Sequence, residues 1–119
     1  MADIRVSRYR IREGKTEKLR NWLEKLENER KDELIETLIE EKTLTETAFI
    51  EETEDRNYLV YYMEVEDWDY MREKFEDSDM DLDKKHREIF QDTLEQMDGE
   101  FQNLLSNSKM IYHAANPNR

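Results

Sequence analysis

Residues 58–66, YLVYYMEVE, constrain this chain more than any other stretch. At a period of two, Tyr58, Val60 and Tyr62 fall on one side, and Leu59, Tyr61, Met63 and Val65 on the other. A strand bulky on both faces is stable when both faces lose water. The rest of the chain is poorly supplied for that task. Charged residues make up 42%, with 31 acids against 19 bases and a net charge of −12. Such a composition borders on that of a disordered chain. Aromatics nevertheless reach 10%, and apolar residues recur at regular spacings, which argues for a fold.

The neighbouring segments supply the partners. Residues 3–12 alternate, with Ile4, Val6, Arg8 and Arg10 on one face and Arg5, Ser7, Tyr9 and Ile11 on the other. Glu13-Gly14 is the turn that follows. From Lys15 the period becomes helical: Leu19, Trp22, Leu23 and Leu26 recur at three and four, then Leu34, Ile35, Leu38 and Ile39. Leu26 to Leu34 is about 80° out of phase, whereas Leu23 to Leu34 is about 20° out. One long helix bent near residues 29–32 fits this spacing. Residues 44–53 read as a second strand, with Ala48 and Ile50 facing one way and Thr47 and Phe49 the other. Residues 54–57 form a polar turn into 58–66.

Asp67 is placed to cap a short helix bearing Trp68, Met71 and Phe75. After an acidic loop at 77–81, a further helix spans 82–97, with Leu82, Ile89, Phe90, Leu94 and Met97 on its apolar face and His86 inside that stripe. Asp79 or Asp81 is its expected cap, and Asp98-Gly99 its end. Residues 100–108 carry no clear signal. Residues 109–115, KMIYHAA, read as a last strand, and 116–119 as a polar tail. One domain over 1–119 follows.

Strand, helix, two strands, two helices and strand is the order of a ferredoxin-like split βαβ fold. The predicted class is α+β, with a four-stranded antiparallel sheet covered by helices on one face. The other face would then present Ile4, Val6, Tyr58, Val60 and Tyr62 to water, a patch that calls for a partner. A second copy packed sheet to sheet in a two-fold homodimer is the simplest answer.

Several chemistries are excluded at this level. Without cysteine there is no disulfide framework, thiolate nucleophile or Cys-based zinc site. Phosphate loops, nucleophile elbows and His-Glu-x-x-His are absent. The charge of −12 disfavours nucleic acid and anionic lipid as partners. No apolar run is long enough to span a bilayer and no signal peptide opens the chain, so a cytoplasmic location is expected. Residues 77–88 mimic a calcium loop, with Asp77, Asp79 and Asp81 at alternate positions and Glu88 at the twelfth. Leu82 stands where the required glycine would be, so no metal site is expected. The acidic stretches 24–41 and 51–55 read as solvated faces.

Residues 5–18, RVSRYRIREGKTEK, resemble the strand–turn–helix opening of the dimeric α+β barrel superfamily. Residues 60–75, VYYMEVEDWDYMREKF, resemble the third strand and second helix of L-rhamnose mutarotase-like proteins. Residues 75–90, FEDSDMDLDKKHREIF, with a histidine on a helix, fit the same superfamily. The whole is similar to an uncharacterised small family related to those mutarotases. The resemblance covers roughly residues 3–97 and implies a dimeric α+β barrel. It also implies a pocket between sheet and helices. Antibiotic-biosynthesis-type monooxygenases and haem-degrading enzymes share this fold. The three positions that match the haem-degrading pattern are Ser7, Phe75 and His86, of which only the histidine agrees. The mutarotases place a histidine on the first helix, and residues 15–42 contain none.

His86 is the candidate catalytic residue, because imidazole exchanges protons near neutrality. It could protonate the ring oxygen of a neutral sugar or take its anomeric proton. Alternatively it is a core histidine bonded to a tyrosine or carboxylate. His113 reads as structural or exposed. Ser7, Tyr9 and Tyr61 fall on the helix-facing side and are the candidate ligand-binding residues, since tyrosine supplies stacking area and a hydroxyl. Three functions stay open: acid–base chemistry on a small, neutral, sugar-like ligand; a non-enzymatic ligand-binding or structural dimer; and a cofactor-independent monooxygenase or haem binder. No cofactor is assigned.

Overall fold

The computed structural model describes residues 2–118 and has an α+β architecture. Strand β1 (Asp3–Arg10) leads through a turn at Gly14, whose φ is +80°, into α1 (Thr16–Asn28) and α2 (Lys31–Glu41). Strands β2 (Thr43–Glu52) and β3 (Asn57–Val65) form a hairpin. Helices α3 (Trp68–Asp77) and α4 (Asp81–Thr93) follow, then the two-residue strands β4 (Gln96–Met97) and β5 (Glu100–Phe101).

The main sheet is antiparallel, in the order β1-β3-β2. The doubly apolar strand is therefore central, as its composition demands. Ser7 lies opposite Tyr61, and Tyr9 opposite Leu59. Directly opposed residues share a face, so Ser7, Tyr9, Leu59 and Tyr61 form one row on the helix side. The buried core joins Leu59 and Tyr61 to Leu19, Trp22 and Leu26 of α1 and to Leu82 and Ile89 of α4. Ile11 and Leu94 close it at one end. Complete burial of Leu19, Leu59 and Leu94 stabilises the fold by about 1.5–3 kcal/mol for each side chain.

Asp67 caps α3, its side chain accepting from the Tyr70 amide at 3.1 Å. Other boundaries differ from the sequence expectation. The long helix breaks rather than bends: the amides of Glu29 and Arg30 both reach the Lys25 carbonyl, and α2 starts afresh at Lys31. The break turns α2, so that Thr37 and Glu41 are buried while Ile35 and Ile39 are exposed. Helix α4 stops at Thr93, short of the expected end at 97. Asp98 and Gly99 are not a helix end but a turn between β4 and β5. Both have positive φ, as a tight two-residue hairpin requires. Neither Asp79 nor Asp81 caps α4; its N-cap is Met80, whose amide donates to Ser78 Oγ.

The four-stranded sheet is also corrected. Residues 109–115 form no strand, and the main sheet has three. Beside β1, where a fourth strand was expected, the chain makes piecemeal contacts. Ile11 and Leu94 form an isolated bridge. The Arg12 amide donates to the Thr93 carbonyl, Glu95 to Arg10, and Leu104 to Arg8. An edge of unpaired backbone groups is thus covered without a continuous ladder. The face away from the helices leaves Val6 40% and Phe49 55% exposed, and Ile111 in the C-terminal segment is 90% exposed.

Candidate functional site

A cavity of about 1340 Å³ opens between the sheet, the helices and the C-terminal segment. Ser7, Tyr9, Tyr61 and His86 all line it. Period two on β1 and β3 places the first three there, and the helical stripe of α4 supplies the fourth.

His86 is buried against Phe90, with ring centroids 4.1 Å apart, and against the edge of Phe75 at 5.8 Å. Both of its nitrogens are engaged. The Trp22 indole Nε1–H donates to Nδ1 at 2.8 Å. An indole N–H can only donate, so Nδ1 must be bare and the neutral ring carries its hydrogen on Nε2. That hydrogen points to the Tyr61 hydroxyl, 3.2 Å away. Burial lowers the His86 pKa from 6.5 to about 4, which keeps the ring neutral. With its oxygen already accepting from His86, Tyr61 has its own hydroxyl hydrogen left for the cavity. Burial also raises the Tyr61 pKa well above the usual tyrosine value, so the hydroxyl stays protonated.

Ser7 is buried, and its Oγ accepts from Asn103 Nδ2 at 3.3 Å. Tyr9 is half-buried, with its phenol pKa raised by burial. His113 is exposed and also lines the cavity, its Nε2 lying 3.9 Å from Glu64 of β3. The site reading from the sequence thus names residues of one cavity, His86 from α4 and Ser7, Tyr9 and Tyr61 from the sheet.

It missed three carboxyls. Glu41 at the end of α2, Glu46 on β2 and Asp83 in the first turn of α4 line the same cavity. Glu41 is 5% and Asp83 4% exposed. Among the described residues, none of the three has an ion-pair partner. The guanidinium of the nearby Arg87 donates to the carbonyls of Phe75 and Ser78, and its charge, with a hydrogen bond from Ser78, partly offsets the burial of Asp83. Burial raises the Glu41 pKa from 4.5 to about 8, with the charges of Glu46 and Asp83 adding to it. Burial and Asp83 raise Glu46 to about 7, and burial raises Asp83 as well. The expectation that 24–41 is a solvated face therefore fails at Glu41. A signal was present in the spacing. Leu34, Thr37 and Glu41 lie three and four apart, Glu46 is in phase with Ala48 and Ile50, and Asp83 sits three before His86.

No curated protein and no solved structure matches this chain. A family model does match, over residues 2–118, and its description is "family of unknown function". With nearly the whole chain matched, the protein belongs to that family, DUF6176.

Proposed function

We propose that the cavity binds a small, neutral, hydroxyl-rich ligand of the sugar class and performs acid–base chemistry on it. The observation that carries this reading is the pairing of two groups on one wall. Tyr61 presents a hydroxyl hydrogen oriented by the Trp22–His86 relay. Glu46 titrates at about 7 in the same cavity. A carboxyl poised near neutrality can move a proton in either direction. In mutarotation, one Glu46 oxygen takes the anomeric hydroxyl proton while its carboxyl O–H delivers a proton to the ring oxygen. The C1–ring oxygen bond breaks, the aldehyde forms, and re-closure on the other face reverses the transfers. Tyr61 holds a ligand oxygen by hydrogen bonding. His86 is then a positioning residue, because Trp22 and Tyr61 occupy both of its nitrogens. That occupancy also leaves no free imidazole nitrogen for haem iron, which weighs against the haem reading. Ser7 and Tyr9 extend the same wall as ligand contacts.

The protein works in this reading as a homodimer of the dimeric α+β barrel type. The exposed Val6 and Phe49 on the helix-free face of the sheet support it. Exchange NMR on a panel of reducing hexoses and pentoses tests the chemistry. Wild type should accelerate anomer interconversion for at least one sugar, and Glu46→Gln should lose at least tenfold of that acceleration. Tyr61→Phe should weaken binding. Interconversion at the buffer rate for every sugar would defeat the proposal. A purely structural or ligand-binding dimer would produce that result.

A further inference from the structure

Two hydrogen-bond relays reach the large cavity from behind, and the chemistry of their first members fixes the direction of each. One runs from the Trp22 indole through His86 to the Tyr61 hydroxyl, at 2.8 and 3.2 Å. The other starts at Asn103. Its Oδ1 accepts from the amides of Arg8 at 3.0 Å and Leu105 at 2.9 Å, which orients the side-chain amide. Its Nδ2 then donates to Ser7 Oγ at 3.3 Å. With that oxygen accepting, Ser7 has its own hydroxyl hydrogen to give. Tyr9 is the next residue on the same face of β1. Burial raises the Tyr9 pKa, and a hydrogen bond from Ser7 offsets part of the rise. Each relay therefore ends on a tyrosine oxygen that accepts from behind, and each tyrosine keeps one O–H to donate.

The two hydroxyls belong to one region. Ser7 pairs with Tyr61 and Tyr9 with Leu59, so Tyr9 is the diagonal neighbour of Tyr61 on the helix-facing side, within reach of long side chains. Edge-on aromatic contacts tie the pair together: Tyr9 to Phe101 at 6.4 Å, Phe101 to Phe90 at 6.3 Å, and Phe90 to Tyr61 at 5.9 Å. All four rings line the cavity, and an apolar surround strengthens hydrogen bonds made inside it. Glu46 pairs with Met63, which makes it the diagonal neighbour of Tyr61 on the side away from Tyr9. Along β3 the order is thus Tyr9, Tyr61, Glu46. Burial first, then the nearby Glu46 and Tyr9, hold the Tyr61 phenol protonated.

We propose that the Tyr9 and Tyr61 hydroxyls together seat the carbonyl oxygen of an α-hydroxy aldehyde or ketone, and that Glu46 moves the proton on the carbon beside that carbonyl. Resting on the acid–base role of Glu46 above, this gives the site a second reaction, enolisation, on the open-chain form of its ligand class. The Glu46 carboxylate takes the proton, and the C–H electron pair becomes the C=C bond of an enolate. The carbonyl π pair moves onto the oxygen, where two directed O–H donors hold the developing charge. Return of the proton to the same carbon restores the carbonyl compound. The negative charge passes from Glu46 to the ligand oxygen, so none is added to a cavity that already holds Glu41 and Asp83. Those carboxyls also decide against a carboxylate ligand on the two donors, which would bring a permanent negative charge beside them.

Hydroxyacetone in heavy water is the probe, because it closes no ring and has no anomers. Wild type should exchange its methylene hydrogens for deuterium above the buffer rate, read by proton NMR. Glu46→Gln should lose at least tenfold of that excess, and Tyr9→Phe and Tyr61→Phe at least fivefold each. With an isotope-labelled carbonyl carbon, binding should move the carbonyl resonance downfield, and each tyrosine variant should reverse part of that move at saturation. Tyr58→Phe, which removes a hydroxyl on the helix-free face, should leave both readouts unchanged. Exchange at the buffer rate would overturn the inference. So would wild-type exchange in Tyr9→Phe, a carbonyl resonance that does not move, or a loss in Tyr58→Phe equal to that in Tyr9→Phe. Anomer interconversion is a separate readout: a protein that interconverts anomers but leaves hydroxyacetone undeuterated keeps the first reading and loses this one.

Discussion

His86 shows how far one residue's surroundings decide its chemistry. Its folded pKa is about 4, against 6.5 for an unperturbed imidazole. Between those values the unfolded chain binds a proton that the folded chain refuses. Stability from this residue is therefore complete above pH 6.5 and is lost as pH falls through the folded value. The full effect is about 3 kcal/mol. Glu41 and Glu46 act with the opposite sign. Their folded pKa values, about 8 and about 7, exceed the ordinary carboxyl value of 4.5. Their stabilisation is complete below that value and fades as pH rises through 7 and 8. Subtracting the urea-unfolding profile of His86→Gln from that of wild type cancels the carboxyl contribution. The difference should grow from pH 4 to 6.5 and level off above. A flat difference would mean that water reaches the ring. At this scale the candidate wall was legible where side chains alternate: Ser7, Tyr9 and Tyr61 follow from period two alone. Glu41, Glu46 and Asp83 keep the same kind of phase, but composition alone does not separate an acidic residue in an apolar stripe from one on a solvated face.

Elements were legible where a local signal was strong and isolated. Asp67 before Trp68 is one such case, and its carboxylate accepts from the Tyr70 amide. The cap satisfies one of the amides that a helix start leaves without an internal partner. Asp67→Ala should therefore destabilise the protein by about 1 kcal/mol, read as a lower melting temperature. An unchanged melting temperature would mean that α3 is held by packing through Met71 alone. Boundaries failed where two signals competed. The phase slip between Leu26 and Leu34 was visible in the sequence, but whether it meant a bend or a break was decided by the Glu29 and Arg30 amides sharing one carbonyl. Residues 109–115 have strand-like side chains yet pair with no strand. The edge of β1 is already occupied by residues 93–95 and 103–104, and the Asp98-Gly99 hairpin between them spaces these contacts apart. Local pattern reports what a segment can do, and competition for one edge decides what it does.

The whole molecule carries a conflict between apolar area and charge. On the helix-free face of the sheet, Val6 and Phe49 are exposed beside half-buried Val60 and Tyr62. Arg8 spans this face, paired with Glu51 at 2.8 Å and stacked 3.7 Å from the Tyr58 ring. Two such faces in contact would remove that apolar surface from water, and stable interfaces typically bury about 800 Å² on each partner. Against this, each chain brings a net charge of −12. The repulsion between two such chains reaches far at low salt and is cut to about 10 Å at 0.1 M. Association should thus strengthen with added salt, the reverse of a complex held by opposite charges. Sedimentation equilibrium should return twice the chain mass, with a dissociation constant that falls as NaCl rises from about 20 to about 200 mM. Val6→Glu combined with Phe49→Glu should give a folded monomer, because both side chains are already in water in the isolated chain. A wild type that stays monomeric across this salt range would show that the face tolerates hydration, and the two-fold assembly would fall with it.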